Sequence, residues 1–341
     1  MATIHDVARK AGVAPITVSR VINNAGYASQ ATRQRVEAAI AELGFVPNTL
    51  ARSLRSKRTN TLALVLSDIT NPFFTTLARG VEDTASSAGY NVIFCNTDED
   101  EEKERNYLQV LLQKRVDGIL LVPARSTPAA VQFLQEHNTP VVILDRRVPL
   151  AKADVVRCDS EKGAYLLVQL LIKLGHTQIA VLGGPNGVST ADDRVAGVRR
   201  AITEANLSEQ SLLVFDGAFT QASGYEMTRQ ALASIPHPTG LFASNNFIAI
   251  GAMKALRDFG QRVPEDIALV SFDDLPPALV TFPFLSVAAQ PAYEMGQKAT
   301  ELLLNRLSGE TARNYHEIIL PIEIIVRQSS GAERLSKAQA T

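Results

Sequence analysis

The chain has 341 residues, 46% of them hydrophobic and 20% charged, with a formal net charge of −1, two cysteines and no tryptophan. That length predicts two or more domains with room for a sizeable apolar core. Two cysteines, Cys95 and Cys158, exclude a disulfide framework, the His and Cys spacings offer no zinc site, and no stretch nears the roughly 18 apolar residues of a membrane span.

The near-zero charge averages two unlike parts. Residues 1–60 carry nine basic and three acidic side chains, a net +6, which leaves −7 for residues 61–341. A basic head on an acidic body points to a nucleic-acid arm attached to something that should stay off DNA. With no apolar leader after Met1, the protein is expected in the cytoplasm, with no membrane partner.

In chain order, Thr3-Ile-His-Asp6 has the form of a capping box opening a short helix through Ala11, which Gly12 breaks. A second helix is predicted from Pro15, well placed in a first turn, to Asn23. Ser29 caps a third, stopped after Leu43 by Gly44. Two short helices around a Gly-containing turn, followed by a third, make an all-α helix-turn-helix domain over residues 1–46. On the second helix Pro15, Ile16, Ser19 and Arg20 share an arc of about 140°, while Val18, Val21 and Ile22 form the core side. An arginine on such an exposed face can pair with guanine, and the hydroxyls of Thr17 and Ser19 suit phosphate oxygens. Residues 47–60 follow as a hinge and linker, with a helix predicted over 48–55 and a basic cluster of Arg52, Arg55, Lys57 and Arg58. So short a helix is marginal alone and needs a second copy of itself or a DNA groove. Its leucine could pack on the body or wedge between base steps.

The motif Thr3-Ile-His-Asp-Val-Ala, then Ala11-Gly-Val and Thr17-Val-Ser-Arg-Val-Ile-Asn23, resembles the DNA-binding head of the lactose-repressor (LacI/GalR) family of bacterial transcription regulators. Pro47-Asn-Thr-Leu-Ala-Arg-Ser-Leu54 is similar to that family's hinge helix, and the resemblance extends over essentially the whole chain. It implies a homodimer on a double-stranded, pseudo-palindromic operator, with Pro15, Ile16 and Arg20 at base-reading positions and Leu54 as the minor-groove wedge. The candidate DNA-binding set is Thr3, Pro15, Ile16, Thr17, Ser19, Arg20, Asn23, Arg52, Leu54 and Arg55. Ala14 departs from the family, which often has a capping serine there.

From Thr61 the chain alternates β-branched runs with amphipathic stretches. Strands are predicted at 61–66, 91–95, 118–122 and 141–144, then at 178–182, 212–215, 240–243 and 267–271. Such alternation implies right-handed βαβ units and an α/β body of two doubly wound parallel sheets. The body, 61–330, divides into lobes of about 61–158 plus 288–320 and 159–287, the helix at 291–307 and a strand near 318–320 returning to the first. The resemblance implies the same two-lobed, periplasmic-binding-protein-like body. The tail, 331–341, has one leucine and no heptad, so a dimer is expected rather than a tail-linked tetramer.

Ligands of such sheets lie at the carboxyl ends of the strands. Those ends carry Asn71, Phe73, Phe74, Asp145, Arg146, Arg194, Phe219, Asn245, Asp273 and, on the connection back, Gln290. Charged and amide groups between aromatic faces suit a small polyol, forks holding hydroxyls and rings covering C–H faces. The set looks more like the ribose-type than the purine-type pattern, and all ten residues match it. Two departures are Val122, near which the ribose pattern commonly has an asparagine, and Asn246, where the family usually has aspartate. The first leaves room for another pentose or a hexose.

An enzyme is not expected, nor a cofactor or metal. Gly183-Gly-Pro-Asn-Gly187 lacks the ending of a phosphate loop and the spacing of a dinucleotide fingerprint. The histidines have no nucleophile pattern beside them, and adjacent Asp273 and Asp274 would point to opposite faces of a strand.

Overall fold

The computed structural model describes residues 2–46, 58–276, 282–309 and 314–332. It divides into two compact units, Met1–Thr59 and Asn60–Thr341. The predicted hinge helix, with Arg52, Leu54 and Arg55, lies outside the described residues, as does the tail from 333.

In the head, α1 (Ile4–Ala11) opens on the reciprocal box: Asp6 N–H donates to Thr3 Oγ1 and Thr3 N–H to the Asp6 carboxylate at 2.9 Å. Gly12, at φ 65°, ends it. Helix α2 (Pro15–Ile22) begins at Ala14 with no side-chain cap. Helix α3 (Gln30–Leu43) is capped by Ser29 and stopped by left-handed Gly44. Val7, Val18 and Val36, one from each helix, are fully buried at the centre of this small core.

The body contains β1 (Thr61–Leu66), α4 (Pro72–Ser87), β2 (Asn91–Asn96), α5 (Glu101–Lys114), β3 (Gly118–Leu121), α6 (Ala129–Glu136), β4 (Val141–Leu144) and β5 (Asp154–Cys158). The chain then crosses to α7 (Ser160–Lys173), β6 (Ile179–Leu182), α8 (Ser189–Glu204), β7 (Leu212–Phe215), α9 (Gln221–Leu232), β8 (Gly240–Ala243), α10 (Asn246–Asp258), β9 (Ala268–Phe272) and β10 (Ser286–Ala289). It returns through α11 (Ala292–Ser308) and β11 (Glu317–Leu320), then crosses a third time to β12 (Glu323–Ile325).

Two six-stranded sheets result, ordered β11-β5-β4-β3-β1-β2 and β12-β10-β9-β8-β6-β7. Every pairing is parallel except β10 with β12. Helices on both faces explain why the inner strands are apolar throughout rather than alternating. In the first lobe α4 and α11 cover one face, and α5 and α6 the other. In the second, α7 and α8 oppose α9 and α10. Helices α4 and α11 cross so closely that a Cβ on Gly80 would lie 2.1 Å from the Tyr293 carbonyl oxygen.

Three strands go beyond the sequence expectation: β5, β10 and β12. Each is short, and arginine, serine, alanine or glutamate breaks its apolar pattern. Because β10 pairs with β9, residues 288 and 289 belong to the second sheet, not the first.

Candidate functional site

A cavity of about 510 Å³ lies between the lobes at the carboxyl ends of the strands. All ten residues proposed from the strand ends line it. Val122 does not; it is fully buried in the first-lobe core.

The first wall begins after β1. Asn71 caps α4, its Oδ1 accepting from Phe73 N–H at 3.0 Å, which fixes the two following rings. Phe73 and Phe74 stack edge to face, 5.0 Å apart at 72°. The Asn71 amide also exchanges a reciprocal pair of 3.0 Å hydrogen bonds with Asn246 of the second lobe. Further ties cross the cleft: Ser189 N–H donates to Ser126 Oγ at 2.8 Å, and Arg147 pairs with Asp193 at 2.6 Å.

The two lobes present their carboxylates in the same way. Asp145 follows β4, and Asp273 follows β9, the strand at the same place in the second sheet. Both have φ 64°, and their N–H groups donate to Val156 and Ala288 on the adjacent strands at 2.9 and 3.0 Å. Both side chains are buried. Burial pushes Asp145 up to about 6, against the pull of the Arg194 and Arg146 charges. Asp273 is also raised by burial, opposed by Arg194 and by the hydrogen bond from Gln290 Nε2 at 2.7 Å.

The arginines differ. Arg146, 1% exposed, donates from Nη1 and Nη2 to both carboxylate oxygens of Glu99 and from Nη1 to the carbonyls of Pro123 and Ala124. Arg194 carries no such partner: its guanidinium lies 3.7 Å above the Phe272 ring and donates to the Ser244 carbonyl at 2.6 Å. Phe219 completes the second wall, and Gly184 makes its position possible, since a Cβ there would lie 2.4 Å from the ring. The doubled glycine that superficially suggests a phosphate loop is a seat for an aromatic ring. Asn245 caps α10 through Ile248 N–H at 2.8 Å.

Six buried polar atoms in or next to this space make no hydrogen bond with the described residues: Ser67 Oγ, Asp145 Oδ1, Arg146 Nε, Arg194 Nε, Ser244 Oγ and Gln290 Oε1. Buried donors and acceptors left unmatched are costly, so these atoms are available to a polar group or water entering the cavity. The sequence reading missed Glu99, Asp98 and Asp216, which also line the cavity. The rule that found the others applies to them too: Asp98 and Glu99 follow β2, and Asp216 follows β7.

In the head, Ile16, Arg20 and Asn23 of the α2 face are exposed, and Pro15, Thr17 and Ser19 half-buried. Exposed Thr3 is spent on the α1 box, and Asn23 Nδ2 caps α2 through the Ser19 carbonyl at 2.7 Å. This leaves Ile16 and Arg20 as the side chains freest to reach outward.

The family model for bacterial regulatory proteins of the lacI family matches residues 3–48, and a periplasmic binding protein-like domain matches residues 168–330. The ribose operon repressor of Halalkalibacterium halodurans is 38% identical over 339 residues, 99% of this chain and 100% of the relative. This chain belongs to the LacI family. Other LacI-family relatives include the ribose operon repressor of Escherichia coli, 36% identical over 94% of this chain and 98% of its own, and the repressor PurR of Haemophilus influenzae, 35% identical over 96% and 98%. Among LacI-family structures, a lac repressor dimer bound to operator and the anti-inducer ONPF superposes with TM-score 0.85 at 28% identity, covering 96% of this chain and 99% of that one. A regulator from Enterococcus faecium with bound ribose gives TM-score 0.72 at 31% identity over 79% and 98%. The LacI-type helical head and the two-sheet, periplasmic-binding-protein-like body are thus both present in this chain.

Proposed function

We propose that this LacI-family chain represses a carbohydrate-utilisation operon in the cytoplasm, binding a pseudo-palindromic operator as a homodimer. A small neutral sugar, an aldopentose such as ribose, switches it. The observation that carries this reading is the cavity: two buried carboxylates, two arginines and three amides face three phenylalanines around about 510 Å³. Carboxylates and amide oxygens accept hydrogen bonds from hydroxyls, and the rings cover the apolar C–H face of a sugar. The ribose operon repressors among the relatives, and the ribose-bound regulator from Enterococcus faecium, support the same ligand class.

On the DNA side, Ile16 and Arg20 of α2 would read bases, with Thr17, Ser19 and the hinge arginines Arg52 and Arg55 on phosphates. Ligand binding biases the hinge by a coupling free energy of about 1–3 kcal/mol. In this reading the chain binds its ligand without transforming it, in line with the repressors among its relatives.

Calorimetric titration of the full chain against ribose, other pentoses, hexoses and nucleobases tests the ligand. Binding of a nucleobase alone would overturn the sugar reading. A gel shift across a salt series tests the operator role, since phosphate neutralisation makes affinity fall with salt. In that assay Leu54→Ala is expected to weaken operator binding while leaving sugar affinity intact; unchanged operator affinity removes the wedge role.

A further inference from the structure

Arg146 is an arginine in a ligand cavity whose fork is already filled. Its Nη1 and Nη2 reach Glu99 Oε2 and Oε1 at 2.7 and 2.5 Å, and Nη1 also reaches the carbonyls of Pro123 and Ala124 at 2.5 and 3.1 Å. Its Nε is buried and without a hydrogen-bond partner among the described residues. A planar guanidinium fork is the group that grips phosphate or carboxylate through two parallel bonds. Here a carboxylate of the protein occupies that place.

The turn that delivers Glu99 is unusual. Asp98 and Glu99 are consecutive left-handed residues, at φ 54° and 60°, and neither is glycine. The turn is pinned at both ends, by Asn96 Nδ2 donating to Asp98 Oδ1 at 2.6 Å and by Asp100 capping α5 at 2.8 Å. Backbone held in so sparsely populated a region at a site is itself a pointer to function.

The remaining charges agree. Six acidic side chains line the cavity against three arginines. Arg125, also in the lining, faces Glu101 at 3.8 Å, and Arg194 is the charge that most opposes the upward push of burial on Asp145 and Asp273. Arg194 has no ion pair among the described residues but is set against two buried carboxylates, so the net charge of the lining opposes an incoming anion.

We propose that Glu99 is a specificity-determining residue: by filling the Arg146 fork and adding its own charge, it makes the cavity accept neutral sugars and reject their phosphorylated forms. The proposal rests on the sugar reading above and deepens it. An entering phosphate would have to displace Glu99 from Arg146 and then sit among unscreened carboxylates, a repulsive element of the kind that separates close competitors.

The test titrates the full chain with ribose and with ribose 5-phosphate, and compares wild type with Glu99→Gln and Glu99→Ala. Wild type is expected to prefer ribose by about 100-fold or more, the scale of a like-charge penalty. In the variants that preference should shrink by about 10-fold or more, because the fork is freed and one negative charge is gone. Glu99→Gln keeps the side-chain volume and an accepting oxygen, so it serves if Glu99→Ala is too unstable to purify. A second arm needs no sugar: millimolar inorganic phosphate should raise the melting temperature of the variants but not of wild type. Equal wild-type affinity for both sugars, or an undiminished preference in both variants, overturns the proposal. If no neutral sugar binds at all, the sugar reading falls, and the phosphate arm still decides the role of Glu99. Equal stabilisation of wild type and variants by phosphate would then refute it.

Discussion

The two walls of the cavity start from the same plan and diverge at one residue type. Asp145 and Asp273 occupy equivalent strand ends, share φ 64° and donate to equivalent neighbouring strands. Their arginines do not correspond: Arg146 is locked to a carboxylate, whereas Arg194 is held by a ring face and a carbonyl. A ring and a carbonyl fix a guanidinium in place without cancelling its charge. The second wall therefore presents an arginine without an ion pair among the described residues, and the first a neutralised one.

Arg194→Ala breaks this contrast most severely. It removes the charge that opposes the upward push of burial on Asp145 and Asp273. Calorimetry should show sugar affinity falling by more than about 100-fold. An Arg194→Ala protein that still binds sugar normally would mean the ligand lies elsewhere.

Next in size is a pH effect. Asp145 has its folded value raised to about 6 from 3.8, so its contribution favours the ligand-free fold at low pH and is lost as pH rises through about 6. A hydroxyl donating to the ionised carboxylate offsets that loss. The melting-temperature rise produced by a fixed sugar concentration should thus be larger at about pH 7.5 than at about pH 5. Asp145→Asn should flatten this trend, and a wild-type shift independent of pH would remove the carboxylate from the contact.

Gly184→Ala sharpens the comparison on the aromatic side. The added methyl overlaps the Phe219 ring and drives it into the cavity, an overpacking cost of about 1–3 kcal/mol. Sugar affinity should fall roughly 10-fold, while operator binding without sugar stays as in wild type. The smallest effect is expected from Asn246→Ala, which removes one side of the amide pair with Asn71 across the cleft. Losing that pair costs about 1 kcal/mol, visible as a drop of about 2–4 °C in melting temperature.

Much of this was legible in the sequence because its signals were local. The α1 capping box, the α3 boundaries at Ser29 and Gly44, and the strand-end residues each depend on a few neighbours and a period. What escaped needed long-range information. β5 is held as a strand by β4 and β11 on either side, and β12 by β10 along one edge. Glu99 reads in sequence as one more acid in a solvated run, Asp98 to Glu102; its role exists only because a left-handed turn swings it onto an arginine 47 positions later. Asn246 likewise gained meaning only when Asn71 was found opposite it.

The chain passes between the lobes three times, after β5, after β10 and after β11. β5 and β11 are neighbours in one sheet, and β10 and β12 in the other, so the passages run side by side. Three adjacent tethers would favour rotation of the lobes about one shared axis over sliding or twisting. Gln290 sits on the second tether, hydrogen-bonded to Asp273 through its Nε2 and with its Oε1 unmatched. A ligand held by that oxygen is attached to the pivot itself, so occupancy and angle become one variable.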